Sequence, residues 1–424
     1  MLKVGIIGVG TVGASVANIL KENSDIIEAR CGKKIVPVMG IVRDIYRDRG
    51  VDLTLSDNID DVLENDEIDV VIELMGGVDE PFKVVKKALE NGKAVVTANK
   101  ALLAYHRYAL QDIAGSLPIG FEASVAGGIP IIKALREGLS ANHIESIKGI
   151  MNGTCNFILT KMMNEDVEFK DVLDEAQKLG YAEADPTFDV GGFDAAHKLL
   201  ILASIAYGIH ANPEDILIEG IENINSEDIF FAKEFGYNIK HLTIAKKCAN
   251  KKVELRAHAA LIPSSQMLAK VDDVMNGISV IGDRVGETMY YGPGAGGDAT
   301  ASAVIADLID IARAGQSSPM LGFKRDLEGG GFTLLSSDEI ETKYYMRVKV
   351  LDEIGVLTKI TSILGDFGIS INSFLQKPDK KDQNCATLLF STHKCKEINI
   401  QNAMKELAKL STCKEKPVMI RIED

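Results

Sequence analysis

The sequence predicts an α/β chain in three parts: a doubly wound parallel sheet, an α+β middle, and a C-terminal module of order βαββαβ. Three observations carry this reading. Short apolar runs alternate with helical stretches through residues 1–128, the pattern of parallel strands linked by helices. Over 129–320 the alternation gives way to a mixture of helices and strands, read as a second domain of α+β type. A polar stretch rich in glycine and serine, 321–342, reads as a linker before the last module, 343–424.

In the first part, Lys3–Gly8, Ile35–Val42, Asp69–Leu74, Lys93–Ala98 and Pro118–Glu122 read as buried strands. Thr11–Lys21, a segment opening at Pro81, and Ala101–Ala114 have helical spacing. Pro81 suits a first helical position and Gly92 the position just past the end. In the middle, helices are expected at Ile129–Leu139, Thr154–Asn164, Phe169–Leu179 and Phe193–Tyr207. Strands are expected at Ile144–Met151, His241–Cys248, Val253–Ala260, Ile278–Gly282 and Thr288–Tyr291, in an order the sequence leaves open. Thr300–Ala314 is a periodic helix that could return to the first domain. The last module has strands at Tyr344–Leu351, Ser370–Pro378, Cys385–Thr392 and Pro417–Ile422, and helices at Gly355–Phe367 and Ile398–Leu410, a ferredoxin-like arrangement.

The chain has 424 residues, 46 % hydrophobic and 25 % charged, with a net charge of −14. That length implies two or three domains, and that composition a globular protein. An acidic surface repels nucleic acid and anionic membrane, so neither is an expected partner. The N-terminus runs directly into a strand rather than a signal peptide, and no transmembrane run is evident, so a cytoplasmic location is expected. The cysteines form no Cys-x-x-Cys pair, which argues against zinc and against a disulfide framework.

Gly8-Val9-Gly10-Thr11-Val12-Gly13 fits G-x-G-x-x-G between an apolar strand and a helix, the Rossmann-type dinucleotide loop. Gly8 permits the tight turn, Gly10 lets the backbone approach a pyrophosphate, and Gly13 lets the helix pack close to the strand. The N–H groups at the helix start, at Thr11 and Val12, face the phosphates. The second strand ends in Val42-Arg43-Asp44. An acid there would bind a ribose 2′-hydroxyl and an arginine a 2′-phosphate; both are present, and Arg43 comes first, which favours NADP over NAD.

The densest group of chemical side chains is Gly180 to Lys198, where Glu183, Asp185, Asp189 and Asp194 fall within twelve residues. Asp194 and Lys198 are four apart and share one helix face. The helix that follows is almost wholly apolar, so this pair sits at the mouth of a buried helix, where charges interact strongly. Reduction of a carbonyl by hydride leaves an alkoxide that needs a proton, and a lysine ammonium can supply it. Acids beside it can receive an ammonium group on the substrate. Lys100, in Thr97-Ala98-Asn99-Lys100, follows a strand at the carboxyl edge, where ligands bind in such sheets.

These motifs, together with Glu122-Ala123-Ser124-Val125-Ala126-Gly127-Gly128-Ile129-Pro130 and Asn152-Gly153-Thr154-Cys155-Asn156, resemble the homoserine dehydrogenase family over roughly residues 1–320. The resemblance implies reversible NAD(P)H-dependent reduction of L-aspartate 4-semialdehyde to L-homoserine. It implies Lys198 as proton donor, Glu183, Asp189 and Asp194 as substrate-binding acids, and Lys100 facing both cofactor and substrate. It implies Gly180 and Gly296 against the cofactor. It also implies a sodium-like monovalent cation held by Glu122 and the carbonyls of Val125, Gly127 and Ile129, since hard cations take oxygen ligands. The last module resembles an ACT domain through Leu351-Asp352-Glu353-Ile354-Gly355 and Gly368-Ile369-Ser370-Ile371-Asn372. That resemblance implies an amino-acid effector, threonine in the family, and the family implies a homodimer or higher oligomer, here in its monofunctional form. Two other readings stay open: a different two-domain dehydrogenase of a small amino-acid-like substrate, and a non-catalytic amino-acid sensor. Cys155 is the one thiol in the motif region that could serve an acylating dehydrogenase, and it has no nearby histidine in the sequence.

Overall fold

The computed structural model describes residues 1–165, 167–314, 319–325, 331–379 and 382–423. They form two compact units: Met1–Gly153 with Asp194–Asp215 and Val274–Thr333, and Thr154–Phe193 with Ile216–Asp273 and Leu334–Asp424.

In the first unit a parallel sheet is built from β1 (Leu2–Ile7), β2 (Ile35–Ile41), β3 (Thr54–Ser56), β4 (Val70–Glu73), β5 (Ala94–Thr97) and β6 (Ile119–Gly120), in the order β3-β2-β1-β4-β5-β6. Its central strands are buried on both faces, which is why they read as unbroken apolar runs instead of alternating ones. The order reverses beside β1, so β1 and β4 open a crevice at their carboxyl ends, the ligand position of such sheets. The helix Gly297–Ala314 packs against the helix Thr11–Glu22 and against β5 and β6. Its Asp307 comes so close that a Cβ on Gly120 would stand 2.5 Å from the Asp307 Cβ. A separate antiparallel trio runs Gly286–Pro293, Met275–Gly282, Ile144–Ile150.

Two local expectations change. The helix expected to open at Pro81 begins at Asp79, with Asp79 and Glu80 in its first turn. Proline is tolerated there because the first-turn N–H groups have no helical partner. The polar stretch between the glycine loop and β2 is itself a helix, Ser24–Cys31, ended by Gly32 at φ +71. That extra helix accounts for the long spacing between Gly13 and Arg43.

The second unit carries a long hairpin, Tyr237–Cys248 against Lys252–Pro263. It also carries the C-terminal module, whose strands order as Val418–Ile422, Glu341–Leu351, Cys385–Thr392, Ile371–Pro378, all antiparallel. The helices Val356–Asp366 and Glu397–Ala408 bury Ile360, Leu364, Ile400 and Leu407 in a core shared with Tyr344, Met346 and Phe390. Val418–Ile422 also pairs in parallel with Lys252–Pro263, through Ala260–Arg421 and Leu261–Ile422. Part of the expected linker is bonded to the hairpin: Leu335 N donates to the Val253 carbonyl at 2.8 Å. Leu327-Glu328-Gly329-Gly330 of that linker lies outside the described residues. The helix Ser226–Glu234 was not anticipated, although Asn225 and Asp228 form a full capping box at its start.

Candidate active site

The glycine loop closes on β4 and on its own helix. Gly8 has φ +103, and a Cβ there would stand 2.6 Å from the Leu74 carbonyl oxygen. A Cβ on Gly13 would stand 2.4 Å from the Gly8 carbonyl oxygen, whereas one on Gly10 would meet nothing within 4 Å. The open face at Gly10 is thus the place where a phosphate can approach the helix start. A second helix start converges there. Gly296, at φ +121, accepts from Thr300 N, and a Cβ on Gly297 would stand 2.8 Å from Ser15 Oγ and 3.2 Å from Thr11 Cγ2. Two positive helix ends side by side favour an anion. Val12 is half-buried, and Arg43 is exposed just past β2.

Across the crevice, Glu73 ends β4 as a fully buried carboxylate. It accepts from Met75 N at 2.7 Å and from the Thr97 hydroxyl at 2.5 Å. Burial pushes its carboxyl above the ordinary value, against the pull of those donors. Thr97 Oγ1 in turn accepts from Asn99 N, and the Asn99 side chain caps the helix Lys100–Ala114 by accepting from Leu102 N. This chain of bonds fixes where that helix starts, and therefore where Lys100 stands.

Lys100, Asp194 and Lys198 come together although they are far apart in sequence. Lys100 Nζ lies 2.8 Å from Asp194 Oδ1, and Lys198 Nζ lies 2.8 Å from Asp194 Oδ2. Lys198 Nζ also donates to the Met151 carbonyl at 2.7 Å, and Asn152 Nδ2 donates to Asp194 Oδ2 at 2.9 Å. Asp194 is almost wholly buried, while Lys198 and Lys100 are more open at 11 % and 35 % side-chain exposure. Burial works against the Asp194 charge, but Lys198 and Lys100 outweigh it and hold the carboxyl well below the usual carboxylate range. Two ammonium groups around one carboxylate leave one positive charge for an incoming oxyanion. Both Asp194 oxygens are thereby engaged by side chains of the protein. Asn152 opens a segment the sequence marks as a motif without indicating its role, and Met151 ends the strand expected before it.

The turn after β6 is tight, with Ala126 at φ +54 and Gly127 at φ +51, and Val125, Ala126 and Ile129 are buried. The Glu122 carboxylate accepts from Ile132 N at 2.8 Å and Lys133 N at 2.9 Å. Burial and then the neighbouring Asp307 raise its carboxyl to about 7. Lys133 acts against that rise, as Lys133 and Arg136 do at Asp307.

Gly180, Glu183 and Asp189 are carried by the second unit. Gly180, at φ +76, ends the helix Phe169–Lys178, and Glu183 is exposed. Asp189 lies in the short helix Thr187–Val190, half-buried, with its carbonyl accepting from Cys155 Sγ at 3.2 Å. Cys155 is fully buried. Among the described residues no helix is long and apolar enough to cross a membrane.

Comparison with known proteins agrees with this geometry. Residues 130–309 match the family model for homoserine dehydrogenase, 8–116 that for the homoserine dehydrogenase NAD-binding domain, and 344–412 that for the ACT domain. The chain is 54 % identical to the homoserine dehydrogenase of Helicobacter pylori, covering 100 % of this chain and 99 % of that one. It is 46 % identical to that of Pseudomonas aeruginosa, covering 100 % and 99 %. Its fold is similar to the crystal structure of a homoserine dehydrogenase from Thiobacillus denitrificans, with a TM-score of 0.93 at 43 % identity over 100 % of this chain and 98 % of that one. It is also similar to a hyperthermophilic archaeal homoserine dehydrogenase in complex with NADPH, with a TM-score of 0.61 at 28 % identity over 73 % of this chain and 97 % of that one. With a dinucleotide loop, two lysines on one buried aspartate and relatives this similar over their whole length, the chain belongs to the homoserine dehydrogenase family, nicotinamide-dependent oxidoreductases, and carries a C-terminal ACT domain.

Proposed function

We propose that the chain interconverts L-aspartate 4-semialdehyde and L-homoserine, with NADP favoured over NAD as cofactor. The observation that carries this is Asp194 held between the Lys100 and Lys198 ammonium groups beside a dinucleotide crevice. When bound, the nicotinamide supplies or accepts the hydride. Lys198 Nζ gives the proton to the developing alkoxide, or takes it from the hydroxyl in the reverse direction. Lys100 adds positive charge at the same place. Asp194 orients both lysines. By resemblance, Glu183 and Asp194 hold the substrate, with Asp189 beside them.

For the cofactor, the residues present fit: Gly8, Gly10 and Gly13 shape the loop, the N–H groups of Thr11 and Val12 would meet the pyrophosphate, and Arg43, exposed just past β2, would pair with a 2′-phosphate. Gly296 and, by resemblance, Gly180 complete its contacts. A sodium-like cation fits Glu122 with the carbonyls of Val125, Gly127 and Ile129, where it offsets the buried carboxylates. The enzyme acts in the cytoplasm as a homodimer or higher oligomer, and its ACT domain answers to an amino acid, with threonine the family effector.

The test is direct. Purified protein, L-homoserine and NADP or NAD at alkaline pH should generate the absorbance of reduced nicotinamide. Absence of turnover with both cofactors removes the proposal.

A further inference from the structure

In the first unit, the strand Met275–Gly282 runs between the two halves of the site. On one side its Gly277 pairs with Ile150, and one residue beyond that pair stand Asn276 and Met151. The Met151 carbonyl is the acceptor that holds Lys198 Nζ at 2.7 Å. On the other side Asn276 pairs with Gly292, where the run Gly292-Pro293-Gly294-Ala295-Gly296 begins. That run leads into the helix Gly297–Ala314, whose start lies against Thr11 and Ser15 of the dinucleotide-loop helix. Asn276 thus stands between the strand that anchors the lysine and the loop that leads to the cofactor.

The Asn276 side chain is 1 % exposed, and among the described residues neither its Nδ2 nor its Oδ1 has a hydrogen-bond partner. The carboxamide is pressed onto the loop: a Cβ on Gly294 would overlap Asn276 Nδ2 and Cγ and would stand 2.5 Å from Oδ1. Gly294 is in turn packed on the tight turn after β6. A Cβ on Gly127 would stand 2.7 Å from the Gly294 carbonyl oxygen, and Gly128 N donates to the Pro293 carbonyl at 3.2 Å.

A carboxamide can make up to about four hydrogen bonds, and burying its donor and acceptor without any costs their desolvation. Leucine has nearly the same shape and would fill this position without that cost. The amide therefore gains only if its bonds form in another state of the protein. The peptides of Gly294 and Ala295 are the groups already against it, each with an N–H and a carbonyl.

We propose that Asn276 is a positioning residue of the cofactor site. As the helix start at Gly296 and Gly297 closes on the phosphates of a bound dinucleotide, the Gly294 and Ala295 peptides turn onto the Asn276 carboxamide, which donates to a loop carbonyl and accepts from a loop N–H. These bonds belong to the bound form alone, so they add to cofactor affinity and withhold stability from the free protein. They also fix the loop against the strand beside Met151, which gives the cofactor and the Lys198 ammonium one common reference. The inference rests on reading the glycine loop as the nicotinamide-dinucleotide site.

The experiment uses the full chain and reads two quantities. Affinity for NADPH and for NADH is titrated by the fluorescence of the reduced nicotinamide, and the unfolding midpoint Tm is measured without and with cofactor. Asn276→Leu is expected to raise the dissociation constant of the better-bound cofactor by about tenfold or more. Tm of the free variant should be unchanged or higher, and the gain in Tm on adding cofactor should shrink. KM for the cofactor should rise with the dissociation constant, while KM for L-homoserine at saturating cofactor stays within about twofold. Gly294→Ala tests the contact itself. It should weaken cofactor binding in the unaltered background and have little further effect in Asn276→Ala, where the amide that its Cβ would meet is gone. Should leucine not fit the strand, this cycle decides.

Cofactor affinity unaltered in Asn276→Leu and Asn276→Ala overturns the proposal. So does a lower Tm of the free protein in both variants, which would mean that the amide is already bonded there. Equal losses from Gly294→Ala in the two backgrounds overturn it as well. Absence of binding of either cofactor by the unaltered chain removes the cofactor site and this inference with it, and is seen before any variant is compared.

Discussion

At the scale of the residue, the decisive group is a single carboxylate with two ammonium partners. Lys198 and Lys100 differ in what else holds them: Lys198 is tied to the Met151 carbonyl at 2.7 Å, whereas Lys100 is the more exposed of the two. Replacing Lys198 by alanine should lower kcat by about 10²–10⁴-fold and leave cofactor affinity nearly unchanged. Steady-state rates together with a fluorescence titration of the reduced cofactor measure the two separately, and largely intact turnover would remove Lys198 as proton donor. Asp194→Asn tests the partner. Without the carboxylate, neither ammonium is held in place, and kcat should fall by about 10²-fold or more. Unaltered kcat would remove Asp194 as the group that orients the two lysines. Arg43→Ala should erode the preference for NADP over NAD, read as the ratio of kcat/KM for the two cofactors, because an exposed arginine after β2 has no other visible task.

At the scale of the element, β4 and β5 end in side chains that build the floor of the site. Glu73 is buried, and its carboxyl is raised above the ordinary value by that burial. The unfolded chain loses this proton first as pH rises, near the ordinary value of about 4.3. Between that pH and the raised folded value, the native state holds more protons than the unfolded one, so stability falls as pH increases. Glu73→Gln removes the titration. The variant should therefore gain in Tm relative to the unaltered chain as pH is raised from about 4 to about 8. A constant difference in Tm across that range would show that Glu73 does not titrate as its burial requires. The site's elements follow from strong local signals. The glycine loop, the apolar runs of β4 and β5 and the helix Phe193–Tyr207 were legible because burial on most sides leaves few polar interruptions. The three-residue β3 and the helix Ser24–Cys31 were not, because one is too short to show a period and the other buries only Ile27 and Cys31, too little for an apolar face.

At the scale of the whole molecule, the ACT domain is joined to the second unit by buried charge as well as by strand pairing. Arg421, fully buried, is shared by Glu219 and Glu397, and the Tyr344 hydroxyl donates to Glu397 Oε2 at 2.8 Å. Arg256, also buried, is paired with Glu254 and with Glu423. The first group ties the last strand to the segment of Glu219 and to the helix of Glu397, and the second ties the hairpin to Glu423. Glu397→Ala leaves Arg421 to Glu219 alone and the Tyr344 hydroxyl without its acceptor, and should cost about 1–3 kcal/mol in urea unfolding of the full chain. Arg421→Leu leaves the buried Glu397 without its countercharge and should cost more, about 3–5 kcal/mol. Equal losses in the two variants would show that the countercharge on Glu397 is not what joins these elements.

The amino-acid sequence by itself determined the classes of element, the dinucleotide loop, the order of the three parts and the family. Each of these is a local pattern: apolar period, glycine spacing, or a run of motif residues in fixed order. The tertiary structure alone decided that Lys100, Asn152, Asp194 and Lys198 meet at one carboxylate, since β5, the end of Ile144–Ile150 and the helix Phe193–Tyr207 are brought together only by packing. It likewise decided that Glu219, Glu397 and Arg421 share one buried site, and that a cavity opens beside them. A carboxylate in a sequence carries no sign of whether it will face water or two ammonium groups, because that depends on strands and helices whose separation along the chain leaves no periodic trace.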